Sequence, residues 1–453
     1  MSLVRSMDYD LFIIGTGTAG TSAASICSKG GMKVAIADYR SLGGTCALRG
    51  CAPKKVLVGS ATLYEHLRRM TRRGVFPEGP TLSWKGLMAF KRRFIDPFPA
   101  IRAEEYRRMG VDVCSGVVSF IDKNTARVGD RTFTSKKFLI ASGSAPRALN
   151  IPGEEHMVTS EGFMDLDDLP GSIVFVGGGY ISFEFAHLAA LAGSKVTILH
   201  KGGRPLANFE KDLVSRLLKV TAKLGIDVVL NAEVTSIEKK GDSYVTVADA
   251  RGIRSPYVSD CVVHGAGRVP EIDALDLGRA GVDHTQRGVR VNGFLQSVSN
   301  PDIYAAGDAV EGTYMLKPVS ENEGFVAGRN ILEGNVVKVD HDVVPSVLFT
   351  VPEIASVGRS ESELKSGGED YDVVENDMSD WFSTRYLGMD NAYSKVLKRK
   401  SDGRILGAHI MSPRAGEIIN LFTLAIRCGM DSETLKTVPW AFPTNTSDMP
   451  RLV

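Results

Sequence analysis

The chain has 453 residues, enough for about three domains. It carries 54 basic and 53 acidic side chains and is 43% hydrophobic, which is typical of a globular protein and excludes a charge-driven preference for nucleic acid or an anionic membrane. No apolar run approaches the ~18 residues of a membrane span, and the opening Met-Ser-Leu-Val-Arg-Ser, interpreted as partly an expression remnant, lacks a secretory core, so we expect a cytoplasmic protein.

The first predicted element group is a strand, a glycine turn, a helix and a second strand in "YDLFIIGTGTAGTSAASICSKGGMKVAIAD" (residues 9–38). Glycines at 15 and 17 let backbone N–H groups approach the pyrophosphate of a dinucleotide at the helix N-terminus. An acidic residue about 20 positions further on accepts hydrogen bonds from an unmodified adenosine ribose. The segment therefore predicts a dinucleotide site in which Gly15 and Gly17 face the pyrophosphate and Asp38 binds the ribose.

Two close cysteines follow in "GGTCALRGCAPKK". In an ideal helix Cys46 and Cys51 would lie about 7.5 Å apart along the axis, whereas a disulfide needs Cα atoms within about 4.4–6.8 Å. A bridge therefore requires a distorted first turn, which Gly50 makes inexpensive, and such a strained bond is easily reduced. The helix N-terminus and the charge of Lys54 or Lys55 favour a thiolate. The two glycines before the first cysteine leave room for a flat ring, and zinc is disfavoured because no second cysteine or histidine pair follows.

Residues 60–110 are predicted to be helical and contain many arginines, as in "HLRRMTRR" and "FKRRF". We interpret these arginines as solvated helix faces, because long charged side chains are mostly exposed in folded proteins.

A second copy of the dinucleotide pattern occupies "SIVFVGGGYISFEFAHLAALAGSKVTILH" (residues 172–200). The spacing from the first glycine to the end of the second strand, Gly177 to His200, is 23 residues, as it is in the first copy. Two glycine fingerprints in matching strand-helix-strand frames are strong evidence for two dinucleotides. The second pyrophosphate is predicted at Gly177 and Gly179.

The second strand of this copy ends in the basic turn "HKGGR". His200, Lys201 and Arg204 do not replace a ribose-binding carboxylate, but they can neutralise a 2′-phosphate. The turn therefore favours NADPH over NADH, with an ordinary solvated basic turn as the alternative.

The cysteine motif, Cys46-x4-Cys51 followed by Ala-Pro-Lys, resembles that of the flavoprotein pyridine nucleotide-disulfide oxidoreductases, which include glutathione reductase, dihydrolipoamide dehydrogenase and mercuric reductase. The resemblance covers nearly the whole chain, since five further motifs occur in the family's order: "IASGSAP", "GGGYISFE", "GRVP", "IYAAGDAV" and "PSVLFTVPEIASVG". It implies an α/β fold with two Rossmann-like three-layer dinucleotide-binding domains and a C-terminal α+β dimerisation domain.

The resemblance also implies domain boundaries and partners. The expected segments are an FAD-binding part (1–148), an NAD(P)H-binding domain (149–267), a second FAD-binding or central part (268–340) and a dimerisation domain (341–453). The expected cofactors are FAD and NADPH, with no metal, nucleic acid or membrane, and the expected substrate is a small-molecule electron acceptor. A homodimer is implied, in which the partner's C-terminal segment completes each active site.

Electrons would pass from NADPH to the flavin and then to a Cys46–Cys51 disulfide, with Cys51 facing the flavin and Cys46 attacking the substrate. Tyr180 resembles the family's gating tyrosine, and Lys54 would pair with Glu184 beside the flavin, where a positive charge stabilises the reduced ring. The implied FAD contacts are Gly15, Gly17, Thr18, Gly20, Asp38, Gly44, Thr45, Val117, Ser142, Gly143, Gly307 and Asp308. The other implied nucleotide contacts are Gly177, Gly179, Ser182, His200, Lys201, Arg204 and Arg268.

The C-terminal segment departs from the family pattern of His-Pro-Thr followed by Glu. In "AFPTNTSDM" (441–449) Phe442 stands in the histidine position and Ser447 in the glutamate position. Phenylalanine cannot transfer a proton, so Asp448 is a candidate substitute. Glutathione is disfavoured because its carboxylate-binding arginines correspond to Ser25 and Phe325.

Three functions remain open. The first is NADPH-dependent reduction of a disulfide, and the second is reduction of quinones or metal ions without the missing acid. The third is a non-catalytic FAD-binding protein, which the intact cysteine pair argues against. Mercuric ion is disfavoured because the chain has no C-terminal cysteine pair, its last cysteine being Cys428.

Overall fold

The computed structural model of the protein describes residues 8–453, so the interpretation of the first six residues lies outside the described part. Two compact units are present. The first unit contains the chain up to Lys54, Phe90–Arg147 and Gly267–His341, and the second contains Lys55–Ala89, Ala148–Ala266 and Asp342–Val453. Residues 55–89, which we assigned to the first FAD-binding segment, thus group with the second unit. The finer domain boundaries stay a prediction.

Strands and helices alternate along most of the described chain. The strands are β1 (Tyr9–Ile14), β2 (Val34–Asp38), β3 (Asp112–Ser115), β4 (Val118–Asp122), β5 (Thr125–Val128), β6 (Arg131–Ile140), β7 (Ser144–Pro146), β8 (Ser172–Val176), β9 (Lys195–His200), β10 (Ile226–Leu230), β11 (Glu233–Lys240), β12 (Ser243–Ala250), β13 (Ile253–Ser259), β14 (Cys261–His264), β15 (Arg268–Pro270), β16 (His284–Thr285), β17 (Gly288–Val289), β18 (Ile303–Ala305), β19 (Ser346–Leu348), β20 (Glu353–Gly358), β21 (Tyr371–Asp377), β22 (Tyr393–Arg399) and β23 (Ile405–Ser412). The α-helices are α1 (Thr18–Lys29), α2 (Gly44–Leu48), α3 (Cys51–Arg72), α4 (Trp84–Ile95), α5 (Phe98–Met109), α6 (Ser160–Phe163), α7 (Tyr180–Leu191), α8 (Lys211–Lys223), α9 (Lys317–Glu333), α10 (Glu361–Gly367), α11 (Phe382–Arg385), α12 (Ala415–Arg427), α13 (Ser432–Thr437) and α14 (Met449–Leu452).

The first unit is built on a sheet of order β3-β2-β1-β6-β5-β4, with β18 also paired to β6. Strands β1, β2, β3, β6 and β18 pair in parallel, and β4 and β5 extend the sheet antiparallel. Leu11 and Ile13 of β1 join one core cluster while Phe12 and Ile14 join another. Because alternate side chains point to opposite faces, β1 is buried on both sides, which explains its continuous apolar run.

The second unit contains three sheets. A parallel sheet of order β10-β9-β8-β14 has α7 packed against it, and an antiparallel sheet β11-β12-β13 follows. The C-terminal part forms an antiparallel sheet of order β19-β20-β23-β22-β21, on which α12 packs. All eight residues of β23 are buried. This arrangement agrees with the predicted α/β fold followed by a C-terminal α+β part.

Among the helices formed by residues 8–453, none combines the length and the apolar character needed to cross a lipid bilayer.

A buried histidine makes the second unit sensitive to acid. The His187 ring is hydrogen-bonded on both sides: its Nδ1 accepts from the Val351 backbone N–H at 3.2 Å, and its Nε2 lies 3.0 Å from the Thr221 hydroxyl. Burial lowers the pKa of His187 to about 4 from 6.5. Between these pH values the unfolded chain therefore binds more protons than the native protein. The contribution of the neutral His187 ring to the free energy of unfolding is fully present above pH 6.5 and is lost as the pH falls.

We expect the free energy of unfolding to fall by roughly 3 kcal/mol between pH 6.5 and 4 through His187 alone. Urea unfolding across this range should show a shallower pH dependence in His187→Gln than in the natural chain. The same change at the exposed His284 is the control and should leave the slope unaltered. Identical slopes in the natural chain and His187→Gln would contradict a neutral buried ring.

Candidate redox and cofactor site

The turn between β1 and α1 is compressed in a way that only glycine permits. Gly15 has φ +106°, and a Cβ there would lie 2.2 Å from the Ala141 carbonyl oxygen. A Cβ on Gly20 would lie 2.1 Å from the Gly15 carbonyl oxygen. At Gly17, the residue before α1, nothing lies within 4 Å of such a Cβ. The turn is therefore packed tightly below and open at the helix N-terminus, the geometry that binds a pyrophosphate.

Asp38 is held at the end of β2 by the same turn. Its Oδ2 accepts from the Thr16 N–H at 2.9 Å and from the Thr16 hydroxyl at 2.6 Å, and its Oδ1 accepts from the Arg40 N–H at 2.9 Å. These bonds orient the carboxylate and leave lone pairs for a ribose. Ser142, just after β6, has a buried hydroxyl without a hydrogen-bond partner among the described residues. An orphaned polar atom beside this turn fits a bound cofactor.

The loop that carries the cysteines is packed onto the glycine turn. The Gly43 N–H donates to the Thr16 hydroxyl at 3.2 Å. Gly44 has φ +70°, and a Cβ there would lie 2.4 Å from the Gly17 Cα. Because both contacts join the segment immediately before Cys46 to the predicted pyrophosphate turn, the first unit fixes the cysteines beside that turn.

The two cysteines lie on separate helices. Cys46 is in the short α2 and Cys51 begins α3, so the predicted distortion is a complete break between two helices. A Cβ on Gly50 would lie only 3.0 Å from the Thr45 carbonyl oxygen. The sulfurs are not joined in this structure. The pKa of Cys46 is raised above its ordinary value, mainly by a hydrogen bond with Cys51 and to a smaller extent by burial of the thiol. The positive charge of Lys317 acts in the opposite direction. The thiols therefore lie close enough to interact, and the disulfide stays a prediction.

Replacing Gly44 by alanine is expected to weaken FAD binding at least about tenfold, because the new Cβ collides with Gly17 in addition to the penalty for positive φ. Gly31→Ala is a matched control, since Gly31 has φ +84° but nothing lies within 4 Å of its Cβ position. Flavin absorbance per chain after gel filtration measures the difference. Equal flavin contents in the two variants would argue against the close approach.

The remaining residues predicted to contact FAD lie at the ends of elements of the first unit. Thr18 begins α1, Thr45 is in α2, Val117 is an exposed residue between β3 and β4, and Gly143 follows β6.

Asp308 belongs to a hydrogen-bonded group in the first unit. Its Oδ2 accepts from the Ser144 hydroxyl at 2.7 Å, and the Arg268 Nε donates to the same hydroxyl at 2.9 Å. The buried Glu323 accepts from the Gly307 N–H at 2.6 Å. Arg268 thus orients Ser144, and its predicted contact with a nucleotide stays a prediction. Ser144 and Glu323 were missed by the sequence analysis, although Ser144 lies within a motif quoted there.

The second glycine turn resembles the first. Gly177 has φ +109°, and its Cβ would lie 2.4 Å from the Gly265 carbonyl oxygen. Gly179 precedes α7, and the buried Ser182 hydroxyl of that helix finds no hydrogen-bond partner within residues 8–453. A compressed turn with an orphaned hydroxyl nearby fits a second dinucleotide.

His200, one of the basic residues predicted to bind a 2′-phosphate, is hydrogen-bonded within the turn. The His200 Nδ1 accepts from the Gly178 N–H at 3.1 Å, and its Nε2 lies 2.9 Å from the Arg204 carbonyl oxygen. Since the first nitrogen accepts, the second donates, and the ring is neutral in this arrangement. His200 therefore supports the turn in this structure, and its contact with a 2′-phosphate stays a prediction. The Arg204 guanidinium donates to the Phe209 carbonyl oxygen, whereas Lys201 is exposed and leaves its ammonium available.

The predicted gating tyrosine and the predicted carboxylate partner of Lys54 both lie in the N-terminal part of α7. Tyr180 is its first residue and is 48% exposed. Glu184, one turn later, is 1% exposed, and its Oε1 accepts from the Phe349 N–H at 2.9 Å. Lys54 lies on α3 in the first unit. Its pairing with Glu184 stays a prediction.

The C-terminal segment presents no proton donor equivalent to histidine at position 442, because Phe442 fills that position and is 81% exposed. The Ser447 hydroxyl donates to the Thr444 carbonyl oxygen at 2.6 Å. Asp448, the candidate substitute, accepts a hydrogen bond from the Ser383 hydroxyl. Both polar side chains are therefore engaged within the chain.

Three carboxylates of the second unit, from Glu210, Asp212 and Glu361, lie within 4.8 Å of one another. The buried Lys395 ammonium contacts all three, at 3.4 Å from Glu210 and 2.6 Å from Glu361. Burial lowers the pKa of Lys395, but hydrogen bonds with Asp212 and Glu361 together raise it above its ordinary value. Lys395 thus supplies the cation, and the group is an ion-pair cluster rather than a metal centre.

Two family models match the chain: pyridine nucleotide-disulphide oxidoreductase over residues 9–324, and its dimerisation domain over residues 344–452. Dihydrolipoyl dehydrogenase of Geobacillus stearothermophilus is 32% identical over 446 residues, covering 97% of this chain and 94% of that protein. Glutathione reductase of Burkholderia cepacia is 31% identical over 428 residues, covering 94% of each. A solved structure of the HOCl-induced flavoprotein disulfide reductase RclA from Escherichia coli is 25% identical, with TM-score 0.88 and coverage of 98% and 99%.

Proposed function

Because the chain belongs to the pyridine nucleotide-disulphide oxidoreductase family, we propose that it transfers electrons from NADPH through FAD to a Cys46–Cys51 disulfide and then to a disulfide substrate. Enzymes of this family bind FAD and a pyridine nucleotide. The observation that supports the proposal most is the contact between Gly44 and Gly17, which joins the cysteine loop to the first glycine turn. Bound FAD would supply hydride acceptance from the nucleotide and two-electron reduction of the disulfide.

In the proposed reaction, the residues of the chain that react are the thiols of Cys46 and Cys51. Two electrons and two protons convert the disulfide to the thiols of Cys46 and Cys51. The N-terminus of α3 stabilises a thiolate at Cys51. Cys46 then attacks one sulfur of the substrate disulfide, and the other sulfur leaves with the electron pair and takes up a proton. Cys51 attacks Cys46 in the mixed disulfide, which releases the second thiol and restores the intramolecular bond.

Reduction of quinones or metal ions is a second candidate, because the exposed Phe442 cannot protonate a leaving thiol. The purified protein should be assayed with NADPH against disulfides, quinones and metal ions, together with Cys46→Ser. Loss of disulfide reduction in this variant supports the first candidate. Quinone reduction that survives Cys46→Ser, without disulfide activity in the natural chain, supports the second. Turnover of neither class would overturn both.

The nucleotide preference is proposed to depend on Lys201. Lys201→Glu should weaken NADPH binding at least about tenfold more than NADH binding, because it places a negative charge where the 2′-phosphate needs a cation. Lys195→Glu, an exposed change at the other end of β9, is the control. Dissociation constants of both nucleotides, measured for the FAD-loaded protein, provide the comparison. Equal losses for NADPH and NADH would contradict the 2′-phosphate contact.

We also infer a homodimer, because residues 344–452 match the family's dimerisation domain. Large apolar side chains of the second unit are exposed, including Leu63, Phe382 and Phe442, which is typical of an interface. In this proposal the partner's C-terminal segment completes the active site. A monomer in sedimentation at micromolar concentration would overturn it.

A further inference from the structure

A cavity of about 180 Å³ in the second unit has five positive side chains among the thirteen residues that line it. It lies among the C-terminal ends of α3, α7 and α8 and residues 388–391. Four arginines within 68–73, together with Lys223, face it against two carboxylates, Glu65 and Asp390. The prediction of a solvated helix face agrees with the exposed Arg72 and Arg73 but not with Arg69, whose side chain is only 17% exposed.

A buried carboxylate organises three of these cations. Glu65 is 3% exposed and forms ion pairs with Arg69 at 3.0 Å and with Arg68 and Arg72 at 3.4 Å. One negative charge thus holds three guanidinium groups in place, which leaves an excess of two positive charges. Fixing these long side chains in advance reduces the entropy that a ligand would otherwise lose on binding.

Two further cations of the cavity have no acidic partner. Within the described chain no carboxylate lies within 4.0 Å of Arg73 or Lys223. The backbone at Gly388 lies beside Arg73, since a Cβ there would be 3.6 Å from a guanidinium nitrogen, an ordinary van der Waals distance. Asp390 accepts from the Asn391 amide at 2.6 Å. The cavity therefore carries five positive against two negative charges.

We propose that this cavity is a binding site for a small phosphate-bearing polyanion. A guanidinium group can donate two parallel hydrogen bonds to the oxygens of one phosphate. An excess of positive charge in a partly enclosed space favours multiply charged anions. At about 30 Å³ per water molecule, the cavity has room for an anion of pyrophosphate size. Its lining includes neither the glycines of the two dinucleotide turns nor Lys201 and Arg204. The site is thus additional to the cofactor sites and independent of the proposed function.

The test is a calorimetric titration of the full-length, FAD-loaded protein with inorganic pyrophosphate at low ionic strength. Arg73→Ala and Lys223→Ala should each weaken binding at least about fivefold, and Asp390→Asn should strengthen it, because it removes a negative charge from the cavity. Lys219→Ala is the matched control: Lys219 is exposed on the same helix as Lys223, outside the cavity, and its loss should leave binding unchanged.

The proposal is overturned if pyrophosphate does not bind, if neither cavity variant weakens binding, or if Lys219→Ala and Lys223→Ala weaken it equally. The last result would mean that general charge screening, rather than the cavity, attracts the anion. The melting temperatures of the variants establish that they are folded. Because the substituted residues are exposed, we expect these temperatures to stay close to that of the natural chain. Pyrophosphate bound only at a dinucleotide turn would respond to Lys201→Ala and not to Lys223→Ala.

Discussion

Replacing Cys51 by serine is expected to abolish the long-wavelength absorption band that a thiolate beside an oxidised flavin produces. Disulfide reduction by NADPH should fall at least about 10³-fold, because in the proposed route the variant has lost the sulfur that passes electrons to Cys46. An anaerobic titration of the FAD-loaded protein with NADPH or dithionite measures the band, and steady-state assays measure the turnover. Flavin content should remain that of the natural chain, since Cys51 makes no part of the compressed turn.

Cys428→Ser is the control for this experiment, because Cys428 is an exposed thiol in the second unit, just after α12. It should retain both the band and the activity. A band that survives in Cys51→Ser but disappears in Cys46→Ser would reverse the roles assigned to the two sulfurs. A natural chain that is reduced by two electrons without any such band would remove the redox disulfide from the proposal.

Replacing Phe442 by histidine is expected to accelerate disulfide reduction about 10²-fold, because a positioned general acid contributes 10²-fold or more to such a proton transfer. The gain should decline as the pH rises through the ordinary histidine pKa of about 6.5. Turnover of one disulfide substrate between pH 5.5 and 8.5 measures both effects. Quinone reduction, which needs no thiol protonation, should not change.

Phe382→His is the matched control, since Phe382 is another exposed aromatic of the second unit, 64% exposed. If Phe442→His gives no acceleration, the proton comes from elsewhere. Asp448→Asn then identifies the source: a lower rate assigns the role to Asp448, and an unchanged rate assigns it to water. An equal gain in the Phe382 and Phe442 variants would contradict a specific position for the acid.

The sequence predicted the parts of the structure that depend on local pattern. The apolar run of β1, the glycine turn and the small residues of α1 specify a buried strand leading into a helix, and the second copy repeats them. The resemblance to the flavoprotein disulfide oxidoreductases is confirmed by the matched family models. A distorted first turn near Gly50 was anticipated, whereas the structure has two separate helices on either side of this glycine.

The sequence did not predict contacts between residues that are distant along the chain. Thr16 holds Asp38 from 22 positions away, and the acceptor role of His200 depends on where the Gly178 N–H points. Lys55 was a candidate for activating the cysteines, yet it pairs with Glu353 at 3.2 Å, 298 positions later. Residue type alone indicates charge and hydrogen-bonding capacity. The partner that uses them is decided by tertiary packing.

The close approach of the Gly44 backbone to the Gly17 α-carbon leaves no space for a side chain at position 44. Any side chain introduced at 44 moves the nucleotide loop, and any movement of that loop displaces the segment leading to the thiols. Engineering of a different prosthetic group into the first unit must therefore redesign the sulfur pair at the same time. Across descendants of this chain, position 44 is expected to stay glycine, because a Cβ there meets the Gly17 α-carbon at 2.4 Å.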